Sequence, residues 1–278
     1  MRSKPRLSVI IPCYNQGEYL LDILMCFPEY QNQDFYELIF INDGSTDLKT
    51  LRILNSIKSK GISVINQKNQ GVCIARNYGI ELAKGEYILP LDGDDLINPD
   101  FFFDAVNILD DNPEYSVVYC DGEFFGDKTG NWTIGDFSLQ KLMIWNYLHV
   151  SAVFRKSSWK MINGYDPKSN GLEDWDLWLG MAFSGAKFYY LQKKYFKYRI
   201  NQSSASHNIS KHKYDELLGY LDRKYKNYIN RDYISERMIL NIKNNKKLLI
   251  KVLIAVYFPN FIKKLINKGI VNKDSVFY

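Results

Sequence analysis

The chain lacks any long apolar run. No stretch approaches the ~20 residues that a membrane-spanning helix needs, so no integral membrane segment is expected. The opening MRSKPRLSVIIP has no apolar region long enough for a secretory leader before the first strand begins, so a cytoplasmic place is expected. Without a leader, the glycosylation sequons at Asn131, Asn201 and Asn208 read as chance. Cysteine is scarce. Cys13, Cys26, Cys73 and Cys120 lie far apart, show no C-x-x-C spacing and sit in apolar or helical surroundings. They read as buried free thiols in a reducing compartment. Neither G-x-G-x-x-G nor G-x-x-x-x-G-K-[ST] occurs, which excludes the usual backbone phosphate cradles. No nucleic-acid-binding motif is present either, and no nucleic acid partner is expected.

What is present is an ordinary hydrophobic content over 278 residues, enough for one large domain or two small ones with a sizeable core. Aromatic residues are plentiful, mostly Tyr and Phe, which suits a site that stacks rings or sugars. The net charge of +5 is unevenly spread. Residues 211–278 hold fifteen Lys/Arg against six Asp/Glu, a balance of +9, which leaves −4 on the rest. A mildly acidic body carries a basic tail.

Apolar strand-like runs alternate with helical patterns from the start. LSVIIP, YELIFIND, ISVINQ, EYILPLD and YSVVYCDG read as strands. GEYLLDILMCF, LKTLRILNSIK, GVCIARNYGIELAKG (closed by Gly85) and PDFFFDAVNILDDNP read as helices, with Leu51, Leu54 and Ile57 spaced as one face. The strands are apolar throughout, not alternating. That pattern predicts an α/β fold with a mostly parallel, Rossmann-like sheet and helices on both faces. A nucleotide-binding half is expected over 1–120, with 121–210 completing the same domain and 211–278 forming a basic helical tail.

In such sheets ligands bind beyond the carboxyl ends of the strands. The ends here are Cys13-Tyr14-Asn15, Asn42-Asp43-Gly44-Ser45 and Asp92-Gly93-Asp94-Asp95. One acid at a strand end reads as a turn or a cap; three converging ends read as a site. A carboxylate rim repels phosphate unless a divalent cation bridges them. D-x-D spacing offers hard oxygen ligands for Mg²⁺ or Mn²⁺, which keep open positions for substrate phosphates.

Four segments, in order over roughly residues 6–206, resemble the family 2 glycosyltransferases of the GT-A fold, bacterial surface-polysaccharide members included. SVIIPCYNQGEYL resembles the opening strand and loop, and FINDGSTD the second strand. NQGVCIARNYGIELAKGEYILPLDGDD resembles the G-x-x-x-A-R-N helix and D-x-D strand, and INGYDPKSNGLEDWDLWL the acidic helix start. The resemblance implies inverting transfer of a hexose from a nucleotide diphosphate sugar, most often UDP-linked, to an acceptor hydroxyl. A metal, Mn²⁺ or Mg²⁺, neutralises the leaving diphosphate. Residue by residue it implies that Pro12, Tyr14 and Asn15 line the nucleotide pocket, with Tyr14 against the base. Asp43 contacts uracil or ribose, Arg76 reaches the pocket or the diphosphate, Asp92 contacts ribose or sugar, and Asp94 binds metal. Asp174 matches the base, with Glu173 helping to position the acceptor. Asp95 reads as structural, capping the next helix.

The base assignment has independent support. Glu173, Asp174 and Asp176 open an aromatic, apolar helix, where a carboxylate near other acids has a raised pKa. The alternative is acids that only complement a helix N-terminus. Trp175 and Trp178 are candidates to pack on an acceptor sugar or to fill the core. Two departures stand out. Asn42 replaces a frequent Asp, and Asn201 stands where a metal- or diphosphate-holding His is often found, a weaker ligand through its carbonyl oxygen. Ser204 and Ser206 match small hydroxyl positions. His207 is a neighbouring substitute or plain surface, and the role of His149 is left open.

The tail segment Leu248–Phe258 is apolar and flanked by Lys. One reading lays it on an anionic membrane surface, at the inner face of the cell membrane, and Lys251, Lys263, Lys264 and Lys268 favour it. The other packs it on the catalytic body or on a second copy, giving a homodimer. The implied acceptor is a glycan or a lipid-linked saccharide. Competing functions are a sugar-nucleotide nucleotidyltransferase, a haloacid-dehalogenase-type phosphohydrolase and a non-catalytic sugar- or metal-binding module. The first lacks its Gly-rich basic loop. In the second, D-x-D would open the fold. The third leaves Glu173 and Asp174 unexplained.

Overall fold

Seven successive buried residues, Leu7–Cys13, form the central strand β1 of the computed structural model, which describes residues 4–27, 35–201 and 209–229. The chain divides into two compact units, Met1–Tyr225 and Lys226–Tyr278. The site lies in the first, and of the second only residues 226–229 are described. The apolar tail, Ser204, Ser206 and His207 therefore lie outside the described residues. No helix among the described residues is long and apolar enough to cross a membrane.

After β1 come α1 (Tyr19–Cys26), β2 (Tyr36–Asp43), α2 (Leu48–Ser59), β3 (Ser63–Gln67), α3 (Val72–Leu82) and β4 (Tyr87–Pro90). Short β5 (Leu96–Ile97), α4 (Asp100–Asp111), long β6 (Tyr115–Gly126) and β7 (Gly130–Trp132) follow. The rest is α5 (Leu139–Ile144), β8 (Val153–Arg155), α6 (Lys156–Met161), α7 (Glu173–Phe183), β9 (Lys187–Ile200) and α8 (Lys211–Lys224). The described strands make one sheet in the order β3-β2-β1-β4-β8-β6-β9-β5, with β7 paired to β6. The first four are parallel, as the apolar runs predict. Beyond β4, the strand β8 runs antiparallel to both β4 and β6, β9 is parallel to β6, and β5 is antiparallel to β9.

Both faces of the parallel part are covered. Leu7, Val9 and Ile11 enter a core shared with Leu20 and Ile23 of α1 and Phe101 and Phe102 of α4. Ile10, on the opposite face, meets α3, and a Cβ at Gly79 would come within 2.5 Å of its Cγ2. Helix α2 begins where the Asp47 carboxylate accepts from the Thr50 amide at 2.8 Å, a side-chain N-cap.

Two local expectations change. Helix α3 ends at Leu82, not at Gly85, because Ala83 turns extended (φ −57°, ψ 133°). Gly85 instead lets the chain pass β1, where a Cβ would lie 2.7 Å from the Ser8 amide nitrogen. Strand β3 is only partly buried, since it forms the sheet edge.

Candidate active site

The strand ends converge as the fold requires, and their polar side chains first organise their own loops. Asn15, at φ +55°, is one of the few residue types that tolerate the left-handed region. Its Oδ1 accepts from the Thr46 and Asp47 amides at 2.8 and 2.9 Å, tying the loop after β1 to that after β2. Asn42 accepts from the Ser45 amide and donates to Asn66. Asp43 accepts from the Gln70 and Gly71 amides, both at 2.8 Å, and from Gln67 Nε2 at 2.7 Å, so it fixes the entry to α3. These loops enclose a cavity of about 500 Å³, lined among others by Pro12, half-exposed Tyr14, Asp43, Arg76, Asp92 and Asp94.

Arg76 is the hub of the site. It is 1% exposed. Its Nη1 donates to Glu173 Oε1 at 3.0 Å and to Asp174 Oδ1 at 2.9 Å, and its Nη2 donates to Asp92 Oδ1 at 2.6 Å. The guanidinium also lies 5.2 Å from the centre of the Tyr165 ring. Burial opposes its charge, yet Asp92 and Asp174 outweigh that and hold it well above the usual arginine pKa. Arg76 thus borders this first cavity while its Nη1 and Nη2 are bonded to the acids. The neighbouring Asn77 does a different job. Its Oδ1 accepts from the Tyr165 amide at 2.9 Å and from Trp159 Nε1 at 3.2 Å, and its Nδ2 donates to the Tyr165 carbonyl at 2.8 Å. Gly164, at φ +74°, leaves that room, since a Cβ there would lie 2.7 Å from Asn77 Oδ1. Sequence reasoning missed this clamp. Its signal was the Asn directly after Arg76, matched to the NGYD turn.

The four acids differ in surroundings. Glu173 bonds Arg76 through one oxygen and the Gly171 amide, at 2.7 Å, through the other. Asp174 has its pKa raised by burial and by Glu173 and Asp92, with Arg76 pulling the other way. Its side chain keeps 23% of its surface exposed, so it remains reachable. Asp94 is pushed up to about 6 by burial and by Asp92. Between them Gly93 packs closely on the Gln16 side-chain amide, which would have to swing aside to admit a Cβ. Asp95 is structural but does not cap the next helix, whose N-cap is Pro99. It accepts instead from the Arg199 amide at 2.8 Å, while Arg199 Nε donates to the Asp94 carbonyl at 2.7 Å and Nη2 to Asp22 at 2.6 Å. The D-x-D loop is thereby pinned to the end of β9. Asn201 follows that end and lines neither cavity. Among the described residues no group of three or more His, Cys, Asp or Glu side chains is arranged to hold a metal. Asp176 faces away from the other acids, accepting from Lys224 Nζ and the Tyr225 hydroxyl, both at 2.7 Å, which docks the end of α8 behind α7.

A second cavity of about 540 Å³ shares Asp92, Asp94 and Glu173 with the first, and Asp174 lines only this one. Its far wall is aromatic, from Trp132, His149, Trp175, Phe196 and Tyr198. Trp175 is held by its indole donating to the Leu142 carbonyl at 2.6 Å. Trp178 is core, wholly buried against Phe154 and Phe188. The aromatic wall was not legible in the sequence beyond Trp175.

His149, left open by the sequence, is buried with its ring 4.2 Å from that of Phe196. Its Nε2 lies 2.9 Å from the Cys120 carbonyl, which only accepts, so that nitrogen carries the proton. Burial lowers its pKa from 6.5 to about 4. The unfolded chain therefore takes up this proton first as pH falls. The stability from neutral His149 is fully present above about pH 6.5 and is lost toward pH 4, a difference of about 3 kcal/mol. Chemical denaturation at pH 7 and pH 4.5 should show a steeper acid loss in the parent than in His149→Phe. Equal losses would mean that His149 is not buried neutral.

The fold is that of the GT-A glycosyltransferases. S. aureus TarS, solved in complex with UDP-GlcNAc, aligns at a TM-score of 0.68, covering 82% of this chain and 69% of that chain at 19% identity. The mannosyltransferase PcManGT from Pyrobaculum calidifontis, solved with GDP-Man and Mn²⁺, aligns at 0.55, covering 72% and 59% at 17% identity. The profile of glycosyl transferase family 2 matches residues 8–164. The chain belongs to that family and is a glycosyltransferase. It is 29% identical to a chondroitin synthase of Pasteurella multocida over 95% of its own length, and spans 30% of the length of that protein.

Proposed function

We propose that this glycosyltransferase moves a sugar from a UDP-linked donor to a hydroxyl of a glycan or lipid-linked saccharide, by inverting single displacement with Asp174 as base. One observation carries the reading: two cavities meet at Asp92, Asp94 and Glu173, and Asp174 opens into only the cavity without Tyr14 and Asp43. A base confined to one side of a shared acidic wall suits a hydroxyl arriving from that side and a nucleotide held on the other. Its raised pKa makes Asp174 the better proton acceptor. Arg76, itself bonded to Glu173, holds it in place. Pro12 and Tyr14 wall the nucleotide base, with Asn15 and Asp43 shaping the loops around it. TarS with UDP-GlcNAc makes UDP the first nucleotide to test. In this reading residues 1–120 carry the donor half and 121–210 the acceptor half, followed by the basic extension 211–278.

GT-A enzymes generally use a divalent metal, and Asp92 and Asp94 fit one. Their oxygens are hard ligands, and the Asp94 carboxyl, its pKa raised by burial and by Asp92, is engaged by no side-chain donor among the described residues, since Arg199 bonds the Asp94 main-chain carbonyl instead. Held there, Mn²⁺ or Mg²⁺ would supply Lewis-acid neutralisation of the leaving diphosphate. PcManGT with Mn²⁺ supports this choice.

Calorimetric titration with UDP, with and without Mn²⁺, tests the reading. The parent should bind UDP more tightly with Mn²⁺, and Asp94→Asn should lose most of that gain. The variant should melt no lower than the parent, because ionised Asp94 is disfavoured in the folded state. An undiminished Mn²⁺ effect in Asp94→Asn would overturn the assignment.

A further inference from the structure

We propose that the cavity beside Asp174 is a stacking subsite for an uncharged sugar ring, with Trp132 as its platform. This rests on the reading of that cavity as the acceptor side and adds what the acceptor presents there. Trp132 ends β7, and its ring is locked from several directions. Phe124 of β6 stacks on it at 5.4 Å between ring centres and 13° between planes. Tyr198 of β9 and His149 meet it edge-on, both at 5.8 Å. The indole is only partly buried, and what these rings leave uncovered borders the cavity. A flat apolar surface held by these three neighbours is costly to leave in water, and it matches the apolar C–H face of a pyranose. Phe196, stacked on His149, continues the same wall.

The charges select among sugars. Asp92, Asp94, Glu173 and Asp174 line this cavity, and no Lys or Arg does so among the described residues. Of the two guanidiniums behind them, Arg76 is already bonded to three of the four and Arg199 is paired with Asp22. A divalent cation and the donor's diphosphate largely cancel each other, so the acids stay in excess when donor is bound. A carboxylate or sulfate on the stacked ring would be repelled. Hydroxyls are welcomed, because carboxylates accept hydrogen bonds.

Saturation-transfer NMR on the full chain with UDP and Mn²⁺ tests this, using methyl glycosides of glucose, galactose, N-acetylglucosamine, N-acetylgalactosamine and glucuronic acid. At least one neutral glycoside should be saturated at its ring C–H protons, and the glucuronide should not compete with it. Trp132→Ala should weaken that glycoside by about tenfold, the scale on which truncating an aromatic anchor reads out in binding, and Trp132→Phe should restore most of it. No signal from any neutral glycoside, equal binding of the glucuronide, or an unchanged affinity in Trp132→Ala would each overturn the proposal. UDP titration of the same parent sample reports on the donor side separately. Failure there with a Trp132-dependent sugar signal intact would count against the donor assignment and not against the subsite.

Discussion

Asp174→Asn should lose transfer by ~10²–10⁴, the usual cost of removing a general base, while keeping its affinity for UDP. Asn preserves the shape of the side chain, and its oxygen can still accept from Arg76 Nη1, 2.9 Å away in the parent. Only the proton-accepting carboxylate is gone. Asp174 does not line the cavity of Tyr14 and Asp43, where the nucleotide is proposed to bind, so UDP should bind as before. The pH dependence follows from the direction of its shift. A base works ionised, and burial with Glu173 and Asp92 raises the pH at which Asp174 ionises. The parent's transfer rate should therefore fall, as pH drops, at a value above the ordinary carboxylate range. The residual rate of Asp174→Asn should lack that limb. Single-turnover rates across pH, with UDP affinity measured alongside, check both parts. Loss of UDP binding in the variant would move Asp174 into the donor pocket.

Arg76→Met should cost the fold about 3–5 kcal/mol at neutral pH, the range seen when one partner of a buried ion pair is removed. The cation is 1% exposed and bonded to three carboxylates. Without it, Asp92, Glu173 and Asp174 repel one another in a site that hydrates them poorly. With the lowering influence of Arg76 gone, the Asp174 pKa must rise further, so the variant should recover toward the parent as pH falls and that repulsion is relieved by protonation. Arg76→Lys should fall between the two, because one ammonium cannot reproduce a fork that engages three acids through two nitrogens. Denaturant midpoints at pH 7.5 and pH 5 for the three proteins measure this. A Met variant within about 1 kcal/mol of the parent at pH 7.5 would show that the guanidinium is not the keystone of the acid cluster.

What the sequence determined by itself is everything that depends on neighbours along the chain. The apolar runs of β1, β2 and β4, each followed by a helical pattern, specify buried parallel strands with helices between them, and those lie where expected. The same local reading puts Asp43, Asp92 and Asp94 at strand ends and Glu173 and Asp174 at a helix start. The family motifs are legible for the same reason, since each is a short contiguous string. Only the tertiary structure decided which of these groups meet. Arg76 finds its acids across 97 and 98 residues, and Asp95 finds the Arg199 amide across 104. Asp176, two residues from Asp174, turns instead to Lys224 and Tyr225. The aromatic wall depends on the pairing of β6 with β7 and β9, where the register shifts on both sides of Asp121. Hydrophobic period and turn chemistry act over a few residues, whereas a shift of one residue in a strand pairing turns every side chain to the other face. No local pattern encodes that choice, and it is this choice that brings Trp132, His149 and Phe196 to one cavity beside Asp174.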